Sequence, residues 1–231
     1  MAKRRSPQLL LSARGGRGGY RAGAGRKPKD AADRKGHHPR PALASRFPVH
    51  VTLKVRAEVP HLRRGDCFVV LRRCFARGKE RFGFRLVHFT VQGNHLHLLV
   101  EAKDKTALSR GMQGLAIRIA RQLNKKLRRT GKLFAERYHE RILKTPTETR
   151  RALLYVLANS RRHTSDKITT RDWIDPMSSA PWFDGWRRRP REPWFQPEGE
   201  PPVVPPTTWL LGQGWRRQGL LDPAVVPGGT S

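Results

Sequence analysis

The sequence predicts an α+β fold of the ferredoxin-like (RRM-like) type, in which helices pack on an antiparallel sheet. Two stretches of alternating apolar and polar residues flank Gly93-Asn94, a pair suited to a two-residue hairpin turn. A long amphipathic helix pattern follows that hairpin, and a shorter one precedes it. These observations give the order β-α-β-β-α-β-α, which is the split β-α-β pattern.

The first half of this pattern is a strand, a helix and a hairpin. Val51, Leu53 and Val55 alternate with polar residues and predict a strand over 50–56, which Pro60 ends. Apolar residues from 62 to 75 predict a helix over 62–76. The hairpin strands are predicted over 84–91 and 95–101, in a register that places Thr90 opposite His97.

The second half is a helix, a strand and a last helix. Leucine, isoleucine and methionine recur at helical spacing from 108 to 127 and predict a helix over 107–129 that Gly131 ends. A strand is expected over 134–143. Pro146 suits the first turn of a helix, so the last helix is predicted over 147–163.

The charge of the chain indicates a polyanion as partner. The 231 residues include 48 Lys and Arg but 18 Asp and Glu, giving a net charge of +30. Residues 1–45 carry 12 basic and 2 acidic side chains, residues 46–165 carry 28 and 8, and residues 166–231 carry 8 of each. No apolar run is long enough to span a membrane, so membrane proteins are excluded.

Composition divides the chain into three parts. Residues 1–45 are rich in Gly, Arg and Lys and are expected to form a disordered basic arm. Residues 46–165 hold the predicted fold. Residues 166–231 contain all six tryptophans and 11 of 18 prolines, which favours an irregular arm packed on the core. The Trp–Arg clusters at 186–189 and 215–217 could instead stack unpaired bases.

Two histidines in one predicted strand are the first candidate site. His95 and His97 point to the same face, whereas Leu96 and Leu98 point to the other, so the two imidazoles could share a divalent ion. Two satisfied histidines on a sheet would give the same pattern, and a metal requires further ligands.

The last predicted helix carries the second candidate site. Arg151 and Asn159 lie within about 40° of Tyr155 on the helical wheel, and Arg162 lies within about 20°. Leu153 and Leu157 lie toward the far side. This polar stripe suits a nucleophile with phosphate-binding neighbours, although an ordinary amphipathic helix could also place a tyrosine there.

These motifs together resemble a known family. His95-Leu96-His97 is similar to the His–hydrophobic–His motif of the HUH single-strand DNA nucleases. Tyr155 with Asn159 resembles the tyrosine and amide of single-tyrosine transposases, which include the REP-associated tyrosine transposases, although their usual proline is absent after Asn159. The segment 134–139 resembles their aromatic-x-x-Arg-aromatic motif. The resemblance covers about residues 46–165.

The resemblance implies an HUH core that cuts single-stranded or hairpin DNA through a covalent 5′-phosphotyrosine. Tyr155 is then the nucleophile, and His95, His97 and Asn159 hold a divalent metal, Mg²⁺ or Mn²⁺. Tyr138 matches a position that is commonly aromatic, and Tyr20 lies in the basic arm, so both are weaker candidates. Relatives include monomers and homodimers.

Supporting sites come from the helical wheel and the hairpin register. Arg118, Arg121, Lys125 and Arg128 share one face of the long helix, where no acidic residue is interleaved, and suit contacts to phosphates. Gln92 lies opposite His95 and is a weaker candidate for supporting the histidines. His88 and His139 are interpreted as structural.

Two other functions fit parts of the pattern. A non-catalytic basic protein that binds DNA or RNA could use the same fold, but its sheet would need exposed aromatic residues rather than histidines. A replication initiator or relaxase would need a third metal-binding histidine or an attached helicase. Cys67 and Cys74 are too far apart for a disulfide within one helix, which favours a reducing compartment, the cytoplasm with its nucleoid.

Overall fold

The computed structural model describes residues 42–164, 173–188 and 200–227, with side chains only to residue 159 in the first range. The basic arm up to residue 41, with Tyr20, lies outside the described residues, as do Trp194, Arg189 and the side chain of Arg162. No described helix has the length and apolar character that a membrane span requires.

The described chain forms a five-stranded antiparallel sheet with helices on both faces. The strands are β1 Val49–Lys54, β2 Glu80–Arg81, β3 Phe84–Val91, β4 His95–Ala102 and β5 His139–Ile142. The main helices are α1 Gly65–Gly78, α2 Lys105–Lys126 and α3 Pro146–Thr164. The order of strands in the sheet is β2-β3-β4-β1-β5, so the predicted α+β ferredoxin-like class is confirmed, with β2 as an added edge strand.

Each face of the sheet has its own apolar cluster. The helices α1 and α2 pack on alternating strand residues such as Val51, Phe89 and Leu98. The helix α3 packs through Leu153, Val156 and Leu157 on the other face, against Val87 and Leu99 of β3 and β4. The tyrosine helix and the long basic helix therefore lie on opposite sides of the sheet.

The β3–β4 hairpin has the predicted register. Thr90 pairs with His97, and the Gln92 amide donates to the His95 carbonyl over 2.9 Å. Gly93 is required here by a close approach, because a Cβ at this position would lie 2.6 Å from the Nε2 atom of His61. His88 has the parity of Thr90 and therefore lies on the α3 face, and a register shift between Leu86 and His88 places Val87 on that face as well.

Three predicted element bounds are wrong. α1 begins at Gly65 rather than at residue 62, because Leu62 is fully buried in a turn whose amide donates to the Gly93 carbonyl. α2 ends at Lys126, since Arg128 has a positive φ of 50°. The predicted strand 134–143 is reduced to β5, because between the isolated Phe134 bridge and β5 the Tyr138 side chain packs into the α1–α2 cluster.

The C-terminal segments pack on the α3 side of the sheet. Trp215 is fully buried and Trp186 is nearly so, in the same cluster as Leu153 and Leu157 of α3. These two tryptophans therefore have no exposed ring for a base, which decides between the two interpretations of their Trp–Arg clusters in favour of packing. The segment 209–218 forms a short α-helix, Trp209–Gly212, and a 3₁₀ turn, Gly214–Gln218.

A buried carboxylate fixes one end of this C-terminal region. Glu101 of β4 is 2% exposed, and its oxygens accept hydrogen bonds from the backbone amides of Thr207 and Thr208 over 2.8 to 3.0 Å. Both threonine hydroxyls also donate to it, over 2.6 and 2.8 Å. Arg63 and Asp175 form a second tie, a two-pronged ion pair of 2.7 and 2.9 Å.

Candidate active site

The two histidines of β4 form a pair on the α3 face of the sheet. Leu96, Leu98 and Val100 belong to the cluster beneath α1 and α2, so strand parity sends His95 and His97 to the opposite face. The imidazole centroids are 4.7 Å apart with a T-shaped orientation. The structure thus brings together the pair that the sequence predicts.

Side chains of the neighbouring strand β1 contact the Nδ1 atom of His97. Its Nδ1 atom lies 3.1 Å from the Thr52 hydroxyl and 3.2 Å from Nε2 of His50. Both are able to accept a proton from Nδ1, which would leave the lone pair of the ring on Nε2. That Nε2 atom faces the hydroxyl of Tyr155 at 3.4 Å, on the far side of the ring.

His95 is oriented in the same way by its chain neighbour. Its Nδ1 atom lies 2.7 Å from the side-chain oxygen of Asn94, so a proton on Nδ1 places the lone pair on Nε2. Histidines that bind metals almost always donate their second ring proton to a nearby acceptor in this manner. Both imidazoles of the pair therefore have the arrangement of a ligand.

The helix α3 carries Tyr155 to this pair from far along the chain. Its start is fixed by a capping box, because the Glu148 amide donates to the Thr145 hydroxyl and Glu148 accepts from the Thr145 and Lys144 amides. These bonds to amides lower the pKa of Glu148 below its ordinary value. The half-buried Tyr155 ring lies 4.9 Å from the His97 ring, edge to face.

Asn159 lies one helical turn beyond Tyr155 and is 1% exposed. Neither its side-chain oxygen nor its nitrogen has a hydrogen-bond partner within the described part of the chain. A buried amide without partners is costly, by about 1–3 kcal/mol, and is rare in native proteins. The amide oxygen is a ligand that Mg²⁺ and Mn²⁺ accept, so an unsatisfied Asn159 beside the histidine face fits a metal ligand.

The donor set that the sequence predicts is two imidazoles and one amide. Within the described ranges, no group of three His, Cys, Asp or Glu side chains could hold a metal. His50 contacts His97 without joining such a group.

Burial keeps the imidazole of His50 neutral. Desolvation, and next the positive charge of Arg141, lower the pKa of His50 to about 4. A neutral His50 retains one ring nitrogen that can accept the proton of His97. His50 and Thr52 are functional candidates that the sequence analysis missed.

The helical wheel of α3 is right about neighbours and wrong about exposure. Arg151 is exposed and borders the same cleft as Tyr155, as expected. Asn159 is buried and Tyr155 is half-buried, so this part of the polar stripe faces protein instead of water. The reason is that the C-terminal segments cover α3, and the wheel of one helix does not contain them.

The other predicted residues have separate positions. Gln92 is buried and donates to the Thr90 hydroxyl over 3.0 Å, so it holds the residue paired with His97. Arg121 and Lys125 are exposed and Arg118 is half-buried on α2, across the sheet from Tyr155. Arg128 follows the end of α2 and, with its positive φ, leaves the predicted stripe.

The remaining tyrosine and histidines lie outside the pair. Tyr138 packs with the cluster on the α1–α2 face, away from His97. His88 is buried against Phe183 and contacts the Ser179 hydroxyl at 3.2 Å, whereas exposed His139 pairs with Glu136. Among the described tyrosines, Tyr155 is the one beside the histidines.

Comparisons with known proteins find a similarity to transposases. A family model described as "Transposase IS200 like" matches residues 44–151. One similar solved structure is a REP-associated tyrosine transposase bound to a REP hairpin, with 17% identity and a TM-score of 0.48 over 62% of this chain and 81% of that chain. Another, assigned as a transposase from Deinococcus radiodurans, has 16% identity and a TM-score of 0.34 over 59% of this chain and 98% of that chain. No curated protein matches. The matched residues 44–151 include the strands, the histidine pair and the start of the tyrosine helix, so this region of the chain is similar to the IS200-like transposases.

Proposed function

We propose that this protein is a transposase that cuts and rejoins single-stranded DNA through a covalent bond to Tyr155. The observation that carries the proposal is the 3.4 Å distance between the Tyr155 hydroxyl and Nε2 of His97, two groups 58 residues apart in the chain. The Tyr155 hydroxyl and the two imidazoles lie together on one sheet face, and the unsatisfied Asn159 amide lies one helical turn beyond Tyr155. A nucleophile beside groups that can hold a divalent ion suits the cleavage of a phosphodiester.

The proposed metal ligands are Nε2 of His95, Nε2 of His97 and the amide oxygen of Asn159. A divalent ion there, Mg²⁺ or Mn²⁺, would polarise the scissile phosphate and offset its charge. Arg151, which makes no ion pair with any residue that the structure describes, would bind the phosphodiester from the cleft side. Arg162 is a second candidate for this role from its place on α3.

The bond between Tyr155 and phosphorus would retain the energy of the phosphodiester bond that is broken. The Tyr155 oxygen loses its proton and bonds to phosphorus, and the bond from phosphorus to the 3′ oxygen breaks. That oxygen takes up a proton and becomes a free 3′-hydroxyl. A later 3′-hydroxyl reverses the steps and releases Tyr155, so strand transfer needs no ATP.

The DNA partner is inferred to be hairpin-containing. The exposed Arg121 and Lys125 lie on the opposite side of the sheet from Tyr155, where Arg73, Arg77 and Arg118 border a shallow groove. Basic surfaces on two sides suit a substrate with a paired stem and an unpaired flank. A protein of this activity would work on the nucleoid in the cytoplasm.

Non-catalytic nucleic-acid binding has less support. An RNA-binding sheet needs an open face with aromatic side chains. Here α1 and α2 cover one face, and α3 with the C-terminal segments covers the other. His97 and Tyr155 of one chain are in contact, which favours a site that is complete within a monomer, whether or not the protein also dimerises.

A covalent-adduct experiment tests the proposal. Labelled hairpin DNA with single-stranded flanks is incubated with Mn²⁺ and protein, then separated on a denaturing gel. We expect protein-linked label for the unmodified chain and for Tyr138→Phe, and none for Tyr155→Phe, although all three bind the DNA alike. An adduct that survives Tyr155→Phe and disappears in Tyr138→Phe would reverse the assignment. The absence of any adduct would favour non-catalytic binding.

A further inference from the structure

The search for an additional site leads to the cleft beside Tyr155. Its volume is about 770 Å³, within the range of pockets that hold a small ligand. β1, β5 and α3 form one side of it, and the C-terminal residues Val225, Val226 and Pro227 form the other. These three residues lie outside the region that matches the transposase model.

The wall on the C-terminal side is apolar and exposed. Val225 is 45% exposed and Val226 is 40% exposed, and both line the cleft together with Leu143 and Leu154. Exposed apolar side chains that line a concave surface mark a binding site more often than isolated ones do.

The position of this wall is fixed by bonds to α3 and to the neighbouring C-terminal loop. Leu221 is fully buried, and its amide donates to the Gly185 carbonyl over 3.0 Å. Arg150 of α3 donates to the carbonyls of Gly219 and Leu220, over 3.4 Å each. The Ala224 amide donates to Asp222, which closes the turn before Val225. The valines are thus held at the rim of the cleft.

The net positive charge of the cleft indicates an anionic ligand. Arg141, Arg150 and Arg151 border it together with one acid, Glu148, so the lining is positive by two charges. Arg141 pairs with Glu148 at 3.3 Å, and Arg150 is bonded to the C-terminal carbonyls. Arg151 is then the cation available to an anion, next to the Tyr155 ring.

We propose that this cleft binds one unpaired nucleotide of the DNA strand, with its phosphate on Arg151 and its base against Leu154, Val225 and Val226. The inference rests on the proposed function, since the nucleotide is the neighbour of the phosphate that Tyr155 attacks. A nucleotide has the two chemistries that the cleft offers, an anion and a flat apolar surface. The C-terminal segment therefore contributes to substrate binding, and the base it contacts adds affinity that the phosphates alone do not give.

The test compares two probes of equal charge. Binding of fluorescein-labelled oligo(dT) of ten nucleotides is measured by anisotropy against a ten-unit abasic strand with the same phosphates. The ratio of the two Kd values reports the bases only. We expect the unmodified protein to prefer oligo(dT) by about tenfold, as for one base on an apolar surface at about 1.4 kcal/mol.

The variant Val226→Asp should remove most of that ratio. Its matched control is Val69→Asp on α1, where the valine is also 40% exposed but lies on another part of the surface. The added negative charge weakens both probes alike and cancels in the ratio. Both side chains are exposed, so both variants are expected to keep the Tm of the parent.

Each outcome decides the inference. A ratio near tenfold in the parent and in Val69→Asp, falling below about threefold in Val226→Asp, supports the nucleotide site. An unchanged ratio in Val226→Asp, or equal binding of both probes by the parent, overturns it. The covalent-adduct gel is independent, since a failure to form an adduct rejects the proposed cleavage while leaving the ratio of Kd values as measured.

Discussion

Metal affinity should depend on two β1 side chains that do not touch the metal. Thr52 and His50 both contact Nδ1 of His97, at 3.1 and 3.2 Å. The substitution Thr52→Val keeps the shape and removes the hydroxyl, and His50→Leu removes the second acceptor. Without any acceptor, the Nδ1 proton is buried and unsatisfied, and the ring loses the contact that orients Nε2.

The expected loss of metal affinity can be estimated because Thr52 and His50 are alternative acceptors for the Nδ1 proton of His97. Loss of the outer partner of a ligating histidine costs 10- to 100-fold in metal affinity, or about 1.4–2.7 kcal/mol. Either acceptor can replace the other, so each single variant should lose about threefold. The double variant should lose at least about tenfold, at or above the roughly ninefold product of the two single losses, because no acceptor for the Nδ1 proton then remains.

Isothermal titration with Mn²⁺ measures this directly, without any DNA. His50→Gln and Thr52→Ser restore an acceptor and should recover most of the affinity, which a merely structural defect would not do. The matched control is His139→Gln, because this histidine pairs with Thr52 across β1 and β5 but is exposed and bonded to Glu136. A double variant that binds Mn²⁺ within twofold of the parent would refute the role of β1.

Three further outcomes are expected. DNA affinity should fall by about 10³-fold or more between 50 and 200 mM salt, and Arg121→Gln should lower the slope of log K against log salt by about one, as measured by anisotropy. Burial, opposed by Asp184, lowers the pKa of His88 to about 4, so the folded state resists protonation of this ring. The free energy of unfolding should therefore be full above pH 6.5 and fall as the pH drops toward 4. Urea midpoints of the parent should show this fall, and His88→Gln should reduce it. Glu101→Gln should lower stability by about 1–3 kcal/mol and expose residues 200–227 to limited proteolysis, because four hydrogen bonds to a buried carboxylate lose their charge.

Strand parity made the histidine pair predictable. His95 and His97 face the same way in any strand, and Gly93-Asn94 fixes where that strand begins, so local sequence determines both facts. The helix with Tyr155 was equally predictable from its apolar spacing. The local sequence does not show that β1 pairs with β4. This pairing places Thr52 opposite His97.

The pairing of β1 with β4 could nevertheless be inferred from the predicted order of the strands. The ferredoxin-like order predicted for the elements places the first strand beside the strand of His97. Val51 and Leu53 face the core, so His50 and Thr52 had to share the histidine face. Combining parity with strand order would have found both residues.

The register of β3 and the bounds of β5 show a different limit. A register shift near Val87 changes the parity of β3, and nothing in the residues 84–91 marks it. The strand predicted over 134–143 fails where Tyr138 turns into the core, because burial of an aromatic ring outweighs the propensity to pair. Tertiary packing decided both cases.

The C-terminal region carries the least local information and has a large effect on the site. Its prolines forbid regular periodicity, and its position depends on single long-range bonds such as Arg63 to Asp175 and Glu101 to Thr208. These bonds place Trp215 on α3, and the same packing buries the face on which Asn159 lies. An amide that would be hydrated on an isolated helix is thereby left without a partner. A bound ligand would offset the cost of that burial, so we expect the C-terminal region to contribute to a binding site on the histidine face.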